Sequence, residues 1–391
     1  MYTWPFEIYM KMNAIGLLLA AILTIAGSAL IYSQIITIQE NTPTAEFFFG
    51  ASYGQVTAQD ARVLIDKVKN YTNFFLINSF DLTTNETALN EVCDYAAQSN
   101  LKFMVYFDFI SRIRYPWHQT WLDQAQKRWS ENFLGVYLRD EPGGRQIDTQ
   151  EFFMNATDYS DAANRFISNI SSTNSMIDAK NKSIPLFTAD YALYWWDYQA
   201  GYNTVFAELG WNMNSTQQIA LCRGAANMQN KDWGAIIVWK YYEPPYLADA
   251  QEIYEDMTLA YRAGAKYVIV FNHPTYPETN PYGILSQEHF DAMEYFWNYV
   301  TANPRSIHSR IGGQIALVLP KDYGWAMRRT ESITVDKIWG IWPEDDKSPQ
   351  ILDNTNKLLS KHGINLDIIY EDPNSDYGKY SKVYFWNITL P

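Results

Sequence analysis

Between residues 46 and 301 an apolar run and a segment of helical period alternate eight times, and no other feature of this 391-residue chain restricts its fold as much. Strands are predicted over 46–53, 74–80, 102–108, 133–138, 184–191, 204–209, 234–240 and 267–272. Helices are predicted over 57–69, 86–98, 120–131, 149–171, 216–228, 248–263 and 287–301. The strand segments are mostly continuous apolar runs, as expected when both faces of a parallel strand are covered. Eight such units in about 255 residues have the size of a (β/α)8 TIM barrel, an α/β fold. A doubly wound open sheet is the runner-up, but Gly50 and Gly54 alone do not make the glycine-rich phosphate loop it would carry.

The barrel is flanked on both sides. Residues 12–38 contain no charged side chain, and at 1.5 Å rise per residue they span the roughly 30 Å hydrocarbon core, which predicts a single transmembrane helix and an anchor over 1–40. A cleaved signal peptide, with Gly27-Ser28-Ala29 as a small-residue cleavage site, is the alternative, although its apolar region is usually about 7–15 residues. A buried helix is the third option. Lys11 before the span favours a cytoplasmic N-terminus, so the domains that follow are expected outside the cell membrane. Glycosylation acceptor patterns at Asn70, Asn85, Asn155, Asn169, Asn181, Asn214 and Asn387 spread along the region after the span and point the same way. Residues 41–44 read as a linker to a barrel domain over 45–303. After Asn303-Pro304-Arg305 the pattern restarts with a strand at 315–320, a helix at 348–362 and strands at 366–370 and 380–386. This predicts a small α/β domain over 310–391, too short to stand alone and therefore packed on the barrel.

A net charge of -13 without a Lys/Arg cluster excludes a nucleic-acid partner. Cys93 and Cys222 fall in helices far apart in element order and are expected as separate buried thiols. The five histidines show no zinc-ligand spacing, and neither a structural metal nor a cofactor is expected. Aromatic residues make up 16% of the chain, which suits a large core or a surface that stacks on sugar rings.

In a barrel of this kind the residues just past each strand converge on one mouth. They are Asp108 after the third strand, Asp140 and Glu141 after the fourth, and Asp190, Trp195 and Trp196 after the fifth. The sixth contributes Glu208 and Trp211, the seventh Trp239, Tyr241, Tyr242 and Glu243, and the eighth Asn272 and His273. Carboxylates and rings in this proportion suit a sugar, whose hydroxyls need acceptors and whose apolar faces stack. Each has a plainer reading. Asp140-Glu141-Pro142 is also good helix-start chemistry, Glu243 before two prolines is a candidate solvated loop acid, and Glu208 is equally placed for a buried arginine pair. His273 also reads as a loop histidine, and Trp195 and Trp196 as packing.

Glu141 in Asp-Glu-Pro and Glu243 in Tyr-Tyr-Glu-Pro-Pro resemble the acid/base and nucleophile of the retaining barrel glycosidases. In that clan the acid/base sits in Asn-Glu-Pro after the fourth strand and the nucleophile is a Glu after the seventh. The resemblance covers roughly 46–301 and implies a glycoside hydrolase acting on an oligo- or polysaccharide; with the external face expected from the span and the acceptor patterns, the enzyme would be extracellular. This chain departs from the clan by carrying Asp140 in place of Asn. The Asp-Glu pair is also similar to that of hexosaminidase-type barrels, in which Asp steadies the substrate's acetamido group as nucleophile and Glu is the acid. Asp140 is therefore a silent neighbour, a proton-holding charge or a substrate-assisting partner. The C-terminal unit is similar in placement to the amidotransferase-like domain of some beta-galactosidases. The competing reading from another class is a catalytically inactive glycan-binding or cell-envelope structural protein on the same scaffold.

Overall fold

The computed structural model describes residues 45–107, 115–150, 155–275, 280–306, 313–328 and 336–390. The predicted membrane span at 12–38 and Asp108 lie outside them. Among the described residues no helix is long and apolar enough to cross a membrane.

Residues Glu46–Asn303 and Ile311–Pro391 form one compact unit. In chain order it begins with β1 (Phe48–Tyr53), α1 (Ala58–Val68), β2 (Phe74–Ile77), α2 (Phe80–Thr83), α3 (Glu86–Gln98), β3 (Lys102–Tyr106) and α4 (Trp117–Trp129). It continues through β4 (Phe133–Tyr137), α5 (Pro142–Thr149), α6 (Tyr159–Ser171), α7 (Asn174–Asn181), β5 (Leu186–Asp190), α8 (Tyr194–Ala200), β6 (Thr204–Leu209) and α9 (Ser215–Gln229). The barrel closes with β7 (Asp232–Ile237), α10 (Ala250–Arg262), β8 (Tyr267–Val270) and α11 (Gln287–Ala302). All eight strands are parallel, and β1 pairs with both β2 and β8, Ala51 lying against Phe75 on one side and Val270 on the other. The predicted alternation is thus a closed (β/α)8 barrel.

Strand parity divides each strand between two cores. Phe49, Ala51 and Tyr53 of β1 face the helices, whereas Phe48 faces the interior with Phe74, Phe187, Phe206 and Tyr267. These rings pack edge to face or stacked, Phe48 against Tyr267 with centroids 4.8 Å apart. A share of the aromatic content therefore fills the barrel rather than its rim. Cys93 in α3 and Cys222 in α9 are separate buried thiols.

Two predicted segments differ in detail. The helix expected over 149–171 corresponds to α6, which starts only behind Asp158, whose side chain accepts from Asp161 N; α5, before it, ends at Thr149 with Gln150 left-handed and was not expected. The short helix α8, unforeseen, carries Trp195 and Trp196.

The C-terminal part adds β9 (Ile315–Leu319), α12 (Ser348–His362), β10 (Leu366–Tyr370) and β11 (Lys382–Phe385), a parallel sheet with β9 between the other two. It packs on α9 through a buried ion pair, Arg223 Nε to Asp367 Oδ1 at 2.7 Å. The remaining guanidinium nitrogens donate to Ala263 O and Leu366 O, and Asn227 and Tyr380 donate to the second Asp367 oxygen. A buried pair so completely bonded holds two elements in one register, since removing either partner strands the other charge.

Candidate active site

After β4 the backbone turns sharply. Arg139 and Glu141 both adopt left-handed conformations, with φ of 56° and 51°. Non-glycine residues avoid this region, and they persist there where the surroundings over-determine them. Here Glu141 N donates to Ala189 O (3.1 Å) and Thr188 Oγ1 donates to Arg139 O (2.5 Å), so β5 pins the turn. Pro142 then starts α5, making Asp140-Glu141-Pro142 both a strand end and a helix start.

The carboxylate that caps α5 is not Asp140. It is Asp190, which accepts from Gly143 N and Gly144 N and, within its own loop, from Tyr191 N and Ala192 N. The two glycines admit this close approach. A Cβ on Gly143 would sit 2.4 Å from Ala192 O, and one on Gly144 would sit 2.1 Å from the Tyr191 ring. Asp190, expected to contact substrate, follows Leu186 and Thr188 in outward parity and is fully buried. It is a helix cap.

Beneath the turn lies a cluster of carboxyl groups. Glu208 alternates with Ala207 and Leu209, which face the helices, so its side chain enters the barrel interior; it is 3% exposed. Its carboxyl and that of Glu141 shift each other's titration. Among the described residues nothing hydrogen-bonds Glu208 Oε2, and the arginine pair considered for it is not formed. Asp140 accepts from the Tyr137 hydroxyl, which accepts in turn from Ala189 N at 3.1 Å. Burial, then the charges of Asp140 and Asp190, push Glu141 up to about 8, with Glu208 and Arg145 pulling the other way. Glu208 is held well above the carboxylate range by its burial and by Glu141. Asp197 is pushed up likewise by burial beside Asp190.

Above this cluster opens a cleft of about 590 Å³. Glu141, Asp148 and Tyr191 border it, as do Trp211 to Met213 after β6 and Lys240 to Glu243 after β7. Glu243 is exposed, in a loop tied by Lys240 N and Tyr241 N to Tyr246 O. Tyr242, 83% exposed, lies 4.8 Å from the Trp211 ring. Sugar rings stack on such open aromatic faces.

Several bordering residues escaped the sequence reading, Asp148, Tyr191, Lys240 and Arg328 among them. Arg328, from the C-terminal part and 6% exposed, reaches Asp148 of α5 through Nη2 at 2.5 Å and Nη1 at 3.3 Å. Its guanidinium lies 4.9 Å from the centre of the Tyr191 ring, whose hydroxyl donates to the same Asp148. Gln146 and Gln150 of α5 donate to Trp339 O and Gly340 O. The helix behind Glu141 is therefore braced by the C-terminal part along its length.

Of the residues named from sequence, Glu141, Trp211, Tyr241, Tyr242 and Glu243 border the cleft, and Asp140 and Glu208 lie near Glu141. Trp239 packs with Phe271 and His273 in a ring cluster outside the cleft wall, with His273 exposed. Trp195 and Trp196 offer no face to a ligand: they are 4% and 0% exposed and pack on Tyr370 and, for Trp196, Trp339. They join barrel and C-terminal sheet. All seven acceptor asparagines are exposed, and two of them, Asn85 and Asn214, cap α3 and α9.

No family model and no curated protein matches the chain. Among solved structures it is similar to the endo-beta-1,4-mannanase from Thermotoga petrophila, at 9% identity and TM-score 0.45, over 70% of this chain and 82% of that one. It is also similar to the GH99 endo-alpha-mannosidase from Bacteriodes thetaiotaomicron, at 11% identity and TM-score 0.43, over 66% and 99%. A third is 3-hexulose-6-phosphate synthase from Salmonella typhimurium, at 11% identity and TM-score 0.35, over 66% and 99%. Likeness at this level carries no argument about chemistry, and these neighbours differ widely among themselves.

Proposed function

We propose that the chain is a membrane-anchored, externally facing glycoside hydrolase that cleaves an oligo- or polysaccharide by two-carboxylate acid/base chemistry. The observation that carries this reading is the pairing of unlike carboxyls in one cleft at the barrel mouth. Glu141, pushed up to about 8, keeps its proton at neutral pH, whereas Glu243 lies exposed to water. Glu141 protonates the glycosidic oxygen as the bond to the anomeric carbon breaks. Glu243 either attacks that carbon or deprotonates the attacking water, according to whether the carboxyls stand about 5–5.5 Å or about 6.5–9.5 Å apart across substrate. Asp140 acts as the proton-holding charge, since it stands second only to burial in raising Glu141. The uncharged 12–38 segment supports the anchor, and the exposure of all seven acceptor asparagines supports the external face.

The test is a hydrolysis screen of aryl glycosides and glycans with the parent chain, Glu141→Gln and Glu243→Gln. Turnover by the parent that both variants lose supports the pair. Glycan binding with no turnover by the parent returns the barrel to a binding role. Alkaline-resistant membrane association and a mobility shift on enzymatic removal of N-glycans would check the anchor and its side.

A further inference from the structure

We propose that Asp148 is a specificity-determining residue of the cleft: it accepts a hydrogen bond from a hydroxyl of a sugar unit next to the one cleaved at Glu141, and it selects neutral glycans over charged ones. The inference rests on the reading of the cleft as a glycan site. Its basis is where α5 carries the residue. Pro142, Gly143, Gly144, Gln146 and Ile147 are buried, whereas Arg145 and Asp148, one and two helical turns on from Glu141, are not. Residues at this spacing share a face of a helix. That face leads from Glu141 to Asp148, and both border the cleft. At 1.5 Å rise per residue Asp148 stands about 10 Å beyond Glu141. It is out of reach of the glycosidic oxygen that Glu141 protonates and within reach of a neighbouring sugar unit.

The carboxylate is oriented for one more donor. Arg328 Nη2 donates to its Oδ1 at 2.5 Å, while Arg328 Nη1 at 3.3 Å and the Tyr191 hydroxyl at 2.7 Å donate to Oδ2. An ionised carboxylate has about four acceptor positions, so the one left over is on Oδ1, and no donor among the described residues fills it. The side chain is 45% exposed. Its partners are not free to follow a ligand: Arg328 is 6% exposed and its guanidinium lies 4.9 Å from the centre of the Tyr191 ring. A sugar-binding acceptor fixed by groups that do not themselves reorient gives selectivity at low entropic cost.

Charge narrows the partner. A uronate or sulfate would meet a carboxylate that can only accept, with the exposed Glu243 on the same cleft. An ammonium would meet the guanidinium held against Asp148, with Lys240 on the cleft as well. A neutral hydroxyl meets neither repulsion. Asp336 holds Arg328 independently, accepting from Arg328 N at 2.7 Å and lying 3.8 Å from Nη2, so the arginine stays anchored when Asp148 is replaced.

The test reads affinity rather than turnover, by isothermal titration of the full chain in a Glu141→Gln background. Absence of hydrolysis in the parent would therefore sink the hydrolase and leave this inference standing. The probes are cellohexaose, mannohexaose and maltohexaose, with a galacturonate hexamer and a glucosamine hexamer as charged controls. At least one neutral probe should bind, and more tightly than either control. Asp148→Asn should weaken that binding by about tenfold or more. Asp148→Glu keeps a charge beside Arg328 and moves the oxygens by one methylene, so it should keep the parent's thermal midpoint and still lose affinity severalfold. A residue that only braced α5 would lower the thermal midpoint and leave the affinity of the folded chain unchanged. Parental affinity in a folded Asn variant, or in the Glu variant where Asn does not fold, would overturn the inference. So would a parent that prefers a charged hexamer or binds no neutral probe at about millimolar concentration.

Discussion

The Glu141 and Glu243 ends of the cleft are built on different terms. Glu141 sits on a turn with two left-handed residues, stitched to β5, with its helix capped by Asp190 and braced by the C-terminal part. Glu243 sits in an exposed loop between tyrosines, held by three backbone bonds with Tyr246. Acid chemistry at neutral pH requires that a carboxyl be kept from ionising, which takes burial and fixed negative neighbours. A nucleophile or base requires only that its charge be left alone, for which water suffices. The contrast in surroundings is what the proposed division of roles rests on.

The largest expected effects break the comparison outright. Glu141→Gln should lower turnover of natural glycosides by about 10²–10⁴-fold, and far less for aryl glycosides whose leaving group needs no proton. Glu243→Gln should slow both substrate types, and steady-state rates on the two separate the roles. Next comes Trp196→Ala, which empties a fully buried site between barrel and C-terminal sheet and should cost about 3–5 kcal/mol by denaturant unfolding, with KM for glycan unchanged. A raised KM without lost stability would restore it as a sugar platform.

Gly144→Ala pushes a methyl into the Tyr191 ring and should cost about 1–3 kcal/mol. It should also disturb the pH profile through the Glu141 side and leave Glu243 untouched. A further effect is on stability against pH. Glu141 rises from an ordinary 4.5 to about 8 on folding, and Asp190 from 3.8 to about 7, so the folded chain binds more protons than the unfolded one. Their contribution is complete below about pH 4 and is lost as pH rises through 7 to 8, so thermal midpoints should fall over that range. Glu141→Gln should flatten part of the slope.

The barrel was legible because parallel strands covered on both faces leave continuous apolar runs, and eight of them left eight marks. The mouth was legible at Glu141, Trp211, Tyr241, Tyr242 and Glu243, which follow strand ends closely. Asp190 follows a strand end too, yet its outward parity sends it to α5, whose capping partner lies 47 residues away in sequence. Parity was also the available signal for Glu208: Phe206 and Glu208 share a face, so a carboxyl on the interior face was readable from the sequence. Arg328 and Asp148 carried no such signal. They are 180 residues apart and meet only because the C-terminal part docks over α5. Trp195 and Trp196 were misjudged for the same reason, since the surface they cover belongs to a later part of the chain.

The pH dependence of kcat/KM on a glycoside with a poor leaving group tests the acid assignment most directly. An alkaline limb with a midpoint near 8, absent in Glu141→Gln, is the expected result. Activity that falls off near the ordinary carboxyl value of 4.5, or a limb near 8 that survives in Glu141→Gln, would contradict it.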